Sequence, residues 1–394
     1  MNPNRLLVVD DEPDISAYVA DVAEGLGFDV VRANTTDQFW ASYSEFVPSV
    51  VVLDLNMPQS DGVQLLRALA EKRCGAQIAI ISGTDKRVVK TAERLGASHG
   101  LKMLGSLQKP VALRALRKIL NKGLDETRGV TADELRHAIR DHQLVVHYQP
   151  KIDLKSEPHW NIAACEALVR WDHPQYGILS PETFIPVAEK SGLISPLTVC
   201  VLRLALEQIG RWDEQGLSLS VAVNIAQQCL NDLALPDAIE GLAKRYDVAP
   251  SRLILEITES GAMTDAALTM DILTRFRLKG FGLSLDDFGT GYSSLIQLHR
   301  MPFNEMKIDK SFVLEIGVSD EAEQIVRSIA DLGHNLGLSL CAEGIECEEA
   351  LSFVRSIGCE TAQGYLVSKP VSPAELATFI QTPANNLELV GTSA

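Results

Sequence analysis

The sequence is short of basic side chains. Its 394 residues hold 36 Lys and Arg against 52 Asp and Glu, a formal charge of −16. Grip on DNA or RNA comes from Lys and Arg on phosphates, so this balance argues against a polyanion-binding protein. A small phosphate ligand held through bound cations remains compatible with it. No helix-turn-helix candidate or basic patch is present, and no DNA partner is expected. Paired cysteines are also missing. The seven Cys are scattered and never spaced C-x-x-C, which suits free thiols in a reducing cytosol. Among the eight His there is no H-x-x-x-H pair, so the usual zinc-hydrolase signature is absent. No apolar run approaches the ~18 residues of a membrane span, and no membrane partner is expected. The start, Arg5-Leu-Leu-Val-Val-Asp10-Asp11-Glu12, turns acidic too soon for a signal peptide. These absences imply a cytoplasmic protein.

The apolar content of 46% is that of a packed globular chain. The length allows two or three domains of ~150 residues, or one small domain plus a barrel of ~250. Residues 1–122 alternate short apolar runs (6–9, 30–33, 50–55, 78–81, 103–107) with amphipathic stretches near 13–26, 36–46, 61–73, 85–101 and 111–121. Strict alternation predicts an α/β fold, a doubly wound (βα)5 parallel sheet. The run 50–55 is apolar up to Asp54 and again at Leu55, as expected of a strand covered on both faces. A polar stretch around 121–131 then breaks the rhythm. The predicted division is 1–121 for the first domain, 122–130 for a linker, 131–383 for the second domain and 384–394 for a flexible tail.

In the second domain, apolar runs repeatedly stop at a polar residue: Glu166, Asn224, Glu256, Asp286-Asp287, Lys307, Glu343 and, more weakly, Gln363. Most intervals fit one βα unit of ~30 residues. With the run 144–148 they make about eight strands in about 250 residues, the size of a (β/α)8 barrel, whose strand C-termini meet at one mouth. Helix N-caps would account for one such acid, but not for five strand ends. Closely spaced carboxylates repel unless protonated or bridged by cations. An oxygen-only set selects hard Mg2+ or Mn2+, and the Asp286-Asp287 doublet points to two ions, the usual clamp for phosphate-ester hydrolysis.

The first domain resembles a response-regulator receiver domain. The residues that carry the likeness are Asp10-Asp11, Asp54, Ser82 and Lys109-Pro110, in that order. The resemblance implies that Asp54 accepts a phosphoryl group from a cognate histidine kinase. It implies one Mg2+ held by Asp11, Asp54 and the backbone of Asn56, with Asp10 beside them. Lys109 and Ser82 would hold the phosphoryl oxygens, and the Lys109-Pro110 peptide would be cis. One departure stands out: Ser106 occupies the position, three before the Lys, where receivers often carry an aromatic switch residue.

The second domain is similar to the EAL domain, a cyclic di-GMP phosphodiesterase with a modified TIM (β/α)8 barrel. The motifs are Glu166-Ala-Leu168-Val-Arg170-Trp171, Asp286-Asp287-Phe-Gly-Thr-Gly-Tyr-Ser-Ser-Leu, Lys307-Ile-Asp309, Glu343-Gly-Ile-Glu346 and Gln363-Gly-Tyr-Leu. A receiver followed by EAL looks like the RocR-type response regulators. The likeness implies a first Mg2+ or Mn2+ on Glu166, Asn224, Glu256 and Asp286, and a second on Asp286, Asp287 and Glu343. Lys307 would orient the attacking water, or act as base if its neighbours lower its pKa. Arg170 would meet a substrate phosphate, while Gln149, Leu168, Glu346 and Gln363 line the dinucleotide pocket. Glu259 would brace the loop 288–294.

The expected function is a two-component response regulator that hydrolyses cyclic di-GMP to linear pGpG, gated by phosphorylation of Asp54. A homo-oligomer, dimer or higher, is expected from the family. The competing reading is a module that binds the nucleotide without cleaving it. His173 and Cys341 are read as structural, as are His159 and Trp160 in a hairpin loop at 155–161.

Overall fold

The computed structural model describes residues 4–57, 60–127, 130–156, 161–263, 265–290 and 295–381. His159, Trp160, loop residues 291–294 and the tail 384–394 lie outside the described residues. The chain forms two compact units, divided between Gly129 and Val130.

In the first unit, strands β1 (Arg5–Val9), β2 (Asp29–Ala33) and β3 (Val50–Asp54) come first. A two-residue hairpin follows, β4 (Asn56–Met57) with β5 (Ser60–Asp61), and then β6 (Gln77–Ser82) and β7 (Lys102–Gln108). The long strands form a parallel sheet in the order β2-β1-β3-β6-β7. Helices α1 (Pro13–Glu24), α2 (Thr36–Phe46), α3 (Gly62–Glu71), α4 (Lys86–Ser98) and α5 (Leu113–Thr127) alternate with them. The unbroken apolar runs are explained by two cores. Leu7, Val9, Val51, Leu53, Ile78 and Ile80 pack with Phe39 of α2, Leu65 and Leu66 of α3 and Val89 of α4. Their strand neighbours Leu6, Val8, Val50, Val52, Ala79 and Ile81 pack with Val19 of α1 and with Leu116 and Leu120 of α5. Successive residues of a strand face opposite ways, so the middle of a central strand covered on both sides is apolar at every position. The connections that leave β1 (to β2) and β3 (to β6) go in opposite directions, and Asp10 and Asp54 sit at that switch point, where α/β sheets place their ligands. α5 continues to Thr127, so most of the stretch read as linker is helical.

The second unit starts with the helix Ala132–Arg140. Thr131 and Glu134 close its N-terminus reciprocally as a capping box. The strands are β8 (Leu144–Asp153), β9 (Asn161–His173), β10 (Gly177–Leu179), β11 (Ser220–Asn224), β12 (Leu253–Thr258), β13 (Gly282–Phe288), β14 (Glu305–Ile308), β15 (Ser339–Ala342) and β16 (Thr361–Ala362). Eight of them close into a barrel, because β8 pairs with both β9 and β16, while β10 is an arm on β9. Both of those pairings are antiparallel. The barrel is therefore not eight parallel strands with every C-terminus at one mouth: β8 descends from the mouth. Nor does β9 stop at Glu166. It runs on to His173, and Glu166 lies mid-strand opposite Gln149, because the continuing alternation Ala167, Val169, Trp171 gives the outer face more to bury.

Candidate active site

Alternation decides what enters the barrel. On β8, Tyr148 turns outward and meets Trp212 edge-on, with 4.8 Å between ring centroids. Gln149 and Lys151 therefore turn inward. Gln149 Oε1 accepts from Gln363 Nε2 at 2.8 Å, and the same Gln363 nitrogen donates to Glu166 Oε2 at 2.7 Å. Asn224 Nδ2 donates to Glu166 Oε1 at 2.8 Å. On β11 and β12, Asn224 and Glu256 are register partners.

Lys307, 1% exposed, ends this construction. Its Nζ lies 2.6 Å from Glu343 Oε1, 3.1 Å from Glu256 Oε2, 3.1 Å from Asp286 Oδ1 and 3.7 Å from Glu166 Oε2. Burial works against its charge, but these carboxylates outweigh burial and hold its pKa well above the ordinary lysine value. The acids respond according to their surroundings. Burial pushes Glu343 up to about 8, against the pull of Lys307 and helped by Asp286 and Glu166. Burial, then Asp286 and Asp309, raise Asp287 to about 6. Burial also raises Glu166. Burial would raise Glu256 too, but Lys151 and Lys307 overcome it and bring it to about 2.

The doublet reaches the site through an irregularity. Neighbouring residues of a regular strand point to opposite faces, so Asp286 and Asp287 could not both serve one mouth. Here the pairing of β13 with β14 shifts register between Leu285 and Phe288, and Asp287 is left-handed at φ 55°. A bulge of this kind re-aims a side chain, and Asp tolerates the left-handed region better than most residues. Asp286, Asp287 and Glu343 consequently each offer an oxygen within 4.8 Å of the others. Two ammonium groups, Lys151 and Lys307, stand among six carboxyl groups (Glu166, Glu256, Asp286, Asp287, Glu305, Glu343), four more acids than ammonium groups. An all-oxygen set with that excess fits hard divalent cations.

The other predicted residues are placed as follows. Glu259, 2% exposed, accepts from the Gly289 amide at 2.9 Å through Oε2. Gly289 has φ 97°, and a β-carbon there would crowd Phe312 at 2.9 Å. Arg170 is half-buried and donates to the Val169 carbonyl at 2.8 Å. Leu168 is half-buried beside Asn224 in a cavity of about 360 Å3. Glu346 is exposed. His173 is buried, stacks on Tyr176 at 4.6 Å and accepts the Gln175 amide through Nδ1. Cys341 is fully buried. Sequence reasoning missed Lys151 and Glu305. Each lies two positions along a strand from a residue it did name, Gln149 and Lys307, and that period-2 spacing was the available signal.

The first unit has its own acidic pocket. Asp10 and Asp54 are each 1% exposed. Lys109 Nζ lies 2.8 Å from Asp54 Oδ2, 3.1 Å from Asp10 Oδ2 and 2.8 Å from Glu12 Oε1. Burial opposes the ammonium, yet Asp54, Glu12 and Asp10 together raise its pKa. Burial raises Asp10. The three carboxylates within 4.8 Å of one another are Asp10, Glu12 and Asp54; the half-buried Asp11 is not among them. The Asn56 amide donates to Asp54 Oδ1 at 2.9 Å. Ser82 and Thr84 hydroxyls lie 2.7 Å apart, and Thr84 donates to Asn56 Oδ1 at 3.0 Å. Lys109-Pro110 is cis. Ser106 donates to Glu93 Oε2 at 2.9 Å.

Residues 132–370 match the EAL domain family, and residues 6–121 match the response regulator receiver domain. The chain is 42% identical over 243 residues to the bifunctional diguanylate cyclase/cyclic di-GMP phosphodiesterase MucR of Pseudomonas aeruginosa, covering 61% of this chain and 35% of that protein. It is 30% identical over 332 residues to the cyclic di-GMP phosphodiesterase RocR of the same organism, covering 82% of this chain and 84% of RocR. A solved structure of the PaMucR phosphodiesterase in complex with c-di-GMP aligns with a TM-score of 0.59 at 40% identity, over 62% of this chain and 98% of that one. The chain thus spans about a third of the length of the first curated relatives it matches.

Proposed function

Because this chain belongs to the EAL domain family and carries a response regulator receiver domain ahead of it, we propose that it hydrolyses cyclic di-GMP to linear pGpG, with Mg2+ or Mn2+, under control of phosphorylation at Asp54. The observation that carries the reading is the convergence of Glu166, Glu256, Asp286 and Glu343 on Lys307 at one barrel mouth. The alignment with RocR along both domains supports the pairing of receiver and phosphodiesterase.

Glu166, Asn224, Glu256 and Asp286 would hold one cation, and Asp286, Asp287 and Glu343 the second. When bound, two such ions supply Lewis acidity, which makes water nucleophilic at neutral pH and offsets charge on the phosphoryl oxygens. Lys307 holds the attacking water by hydrogen bonding. Its raised pKa supports the role of donor over that of base. Arg170 pairs with a phosphate through its planar fork. Gln149, Leu168, Glu346 and Gln363 line the guanine-nucleotide pocket, and Glu259 braces the Gly289 turn. The water oxygen bonds to phosphorus, the bond from phosphorus to the 3′ oxygen breaks, and the leaving oxygen takes the proton. In the receiver, Asp54 is the phosphoryl acceptor from a histidine kinase. Asp10, Asp11 and the backbone of Asn56 help to hold one Mg2+, and Lys109 and Ser82 receive the phosphoryl oxygens.

The reading carries two further proposals, a cytoplasmic location and a homo-oligomer of two or more chains. Among the described residues no helix is long and apolar enough to cross a membrane. The test is chromatography of nucleotides after incubating the full chain with Mn2+ or Mg2+ and cyclic di-GMP. pGpG formed by the wild-type chain and lost in Glu166→Ala supports the enzyme. Tight nucleotide binding without turnover would replace it with the binding module.

A further inference from the structure

The barrel interior holds a buried cation that the sequence did not single out. Lys151 is 1% exposed, on β8, the barrel strand that runs antiparallel to both of its neighbours. Its Nζ lies 2.8 Å from Glu256 Oε1 and 3.2 Å from Glu305 Oε1. Glu305 Oε1 also accepts from Ser284 Oγ at 2.8 Å. Glu256 is fully buried, and its other oxygen, Oε2, lies 3.1 Å from Lys307. The two oxygens of Glu256 are therefore divided. Lys151 takes the one facing Glu305, and the other faces Glu166, Asp286 and Glu343 across Lys307.

We propose that Lys151 is a positioning residue for cation binding: by anchoring Glu256 Oε1 it turns Oε2 toward the shared site. This rests on the reading of Glu256 as a cation ligand. A carboxylate plane held at one oxygen has lost its main rotational freedom, so the second oxygen meets an incoming cation already oriented. Lys151 also supplies charge. With it, the buried Glu256 and the half-buried Glu305 face an ammonium within hydrogen-bond distance of both; without it, Glu305 is left with the Ser284 hydroxyl. Glu256 would then divide its two oxygens between Lys307 and whatever else could be drawn in, and the site would have to be assembled when the cation arrives. A neutral side chain of similar length fills the same volume without performing either task.

The experiment is a Mn2+ titration of the metal-free full chain, followed by the electron paramagnetic resonance of free Mn2+, for wild type and Lys151→Met. The melting temperature of each metal-free protein is measured beside it. The expected result is at least tenfold weaker Mn2+ binding in Lys151→Met. In hydrolysis, the Mn2+ concentration for half-maximal rate rises at least tenfold, while kcat at saturating Mn2+ returns to within about threefold of wild type. A purely structural lysine would lower the melting temperature and leave the Mn2+ affinity of the folded protein unchanged, and that result overturns the proposal. If Lys151→Met does not fold, Lys151→Gln takes its place. It keeps one donor, so an affinity between those expected of wild type and Lys151→Met supports the proposal and wild-type affinity overturns it. Failure of wild type itself to take up Mn2+ would overturn the cation-site reading, and this inference with it.

Discussion

Metal uptake by the barrel should be strongly proton-linked, and the structure sets the size of the effect. Glu343 is held at about 8 in the metal-free protein and Asp287 at about 6. A carboxylate must lose its proton to bind a cation, so protons compete with metal below these values. The penalty on affinity from one such group is a factor of 1 plus ten raised to (pKa − pH). For Glu343 the factor is ~2 at pH 8, ~11 at pH 7 and ~100 at pH 6. Asp287 adds nothing at pH 8 and ~2 at pH 6. Between pH 8 and pH 6, Mn2+ affinity should therefore fall ~100-fold, and most of that fall belongs to Glu343. The assay is isothermal titration calorimetry of the metal-free chain at pH 6, 7 and 8, in buffers of different ionisation enthalpy so that released protons are counted. About one proton should be released per chain at pH 7, ~0.9 of it from Glu343. Glu343→Gln should bind more weakly at pH 8 yet lose all but ~2-fold of the pH dependence, the share of Asp287. Wild-type affinity constant across this range, or an undiminished slope in Glu343→Gln, would refute the assignment.

Three further outcomes are expected. Glu256 titrates near 2 in the folded chain against 4.5 for the free side chain. Its contribution to stability is present above 4.5 and lost as pH falls toward 2. Urea unfolding of the metal-free protein at pH 5 and pH 3 should show about 2 kcal/mol of acid sensitivity that Glu256→Gln lacks. A β-carbon at Gly364 would run into the backbone carbonyl and amide of Ile345. Gly364→Ala should therefore cost at least ~2 kcal/mol in denaturant unfolding, and raise KM by displacing the adjacent Gln363. Beryllofluoride with Mg2+, a phosphoryl mimic, should raise the hydrolysis rate of wild type and leave Asp54→Asn unaffected. Equal rates with and without it in wild type would remove the gating, because a receiver shifts only states that its modified form contacts differently.

The receiver sheet was legible because both of its faces are buried: runs such as Val50-Val-Val-Leu can only be central strands, and a carboxylate at the end of one stands out. The barrel acids were legible for the same reason, each being polar where an apolar run stops. Asp11 stands apart from the acidic cluster of the metal-free chain because adjacency in sequence is not adjacency in space. The turn after β1 brings Glu12, not Asp11, within reach of Asp10 and Asp54. Lys151 and Glu305 passed unnoticed because a buried charge is recognised by its partner, and theirs lie on strands more than a hundred residues apart in sequence.

By itself, then, the sequence determined the two α/β units, their order, and the kind of chemistry at the barrel rim, since burial pattern and side-chain type are local properties of the chain. The tertiary structure alone decided that β8 runs backwards, that β9 continues past Glu166, and that a bulge with Asp287 in a left-handed conformation turns two consecutive acids to one side. It also decided that two buried lysines divide the oxygens of Glu256. Strand direction, register and ion pairing are relations between distant segments, and their energies exist only once the barrel has closed.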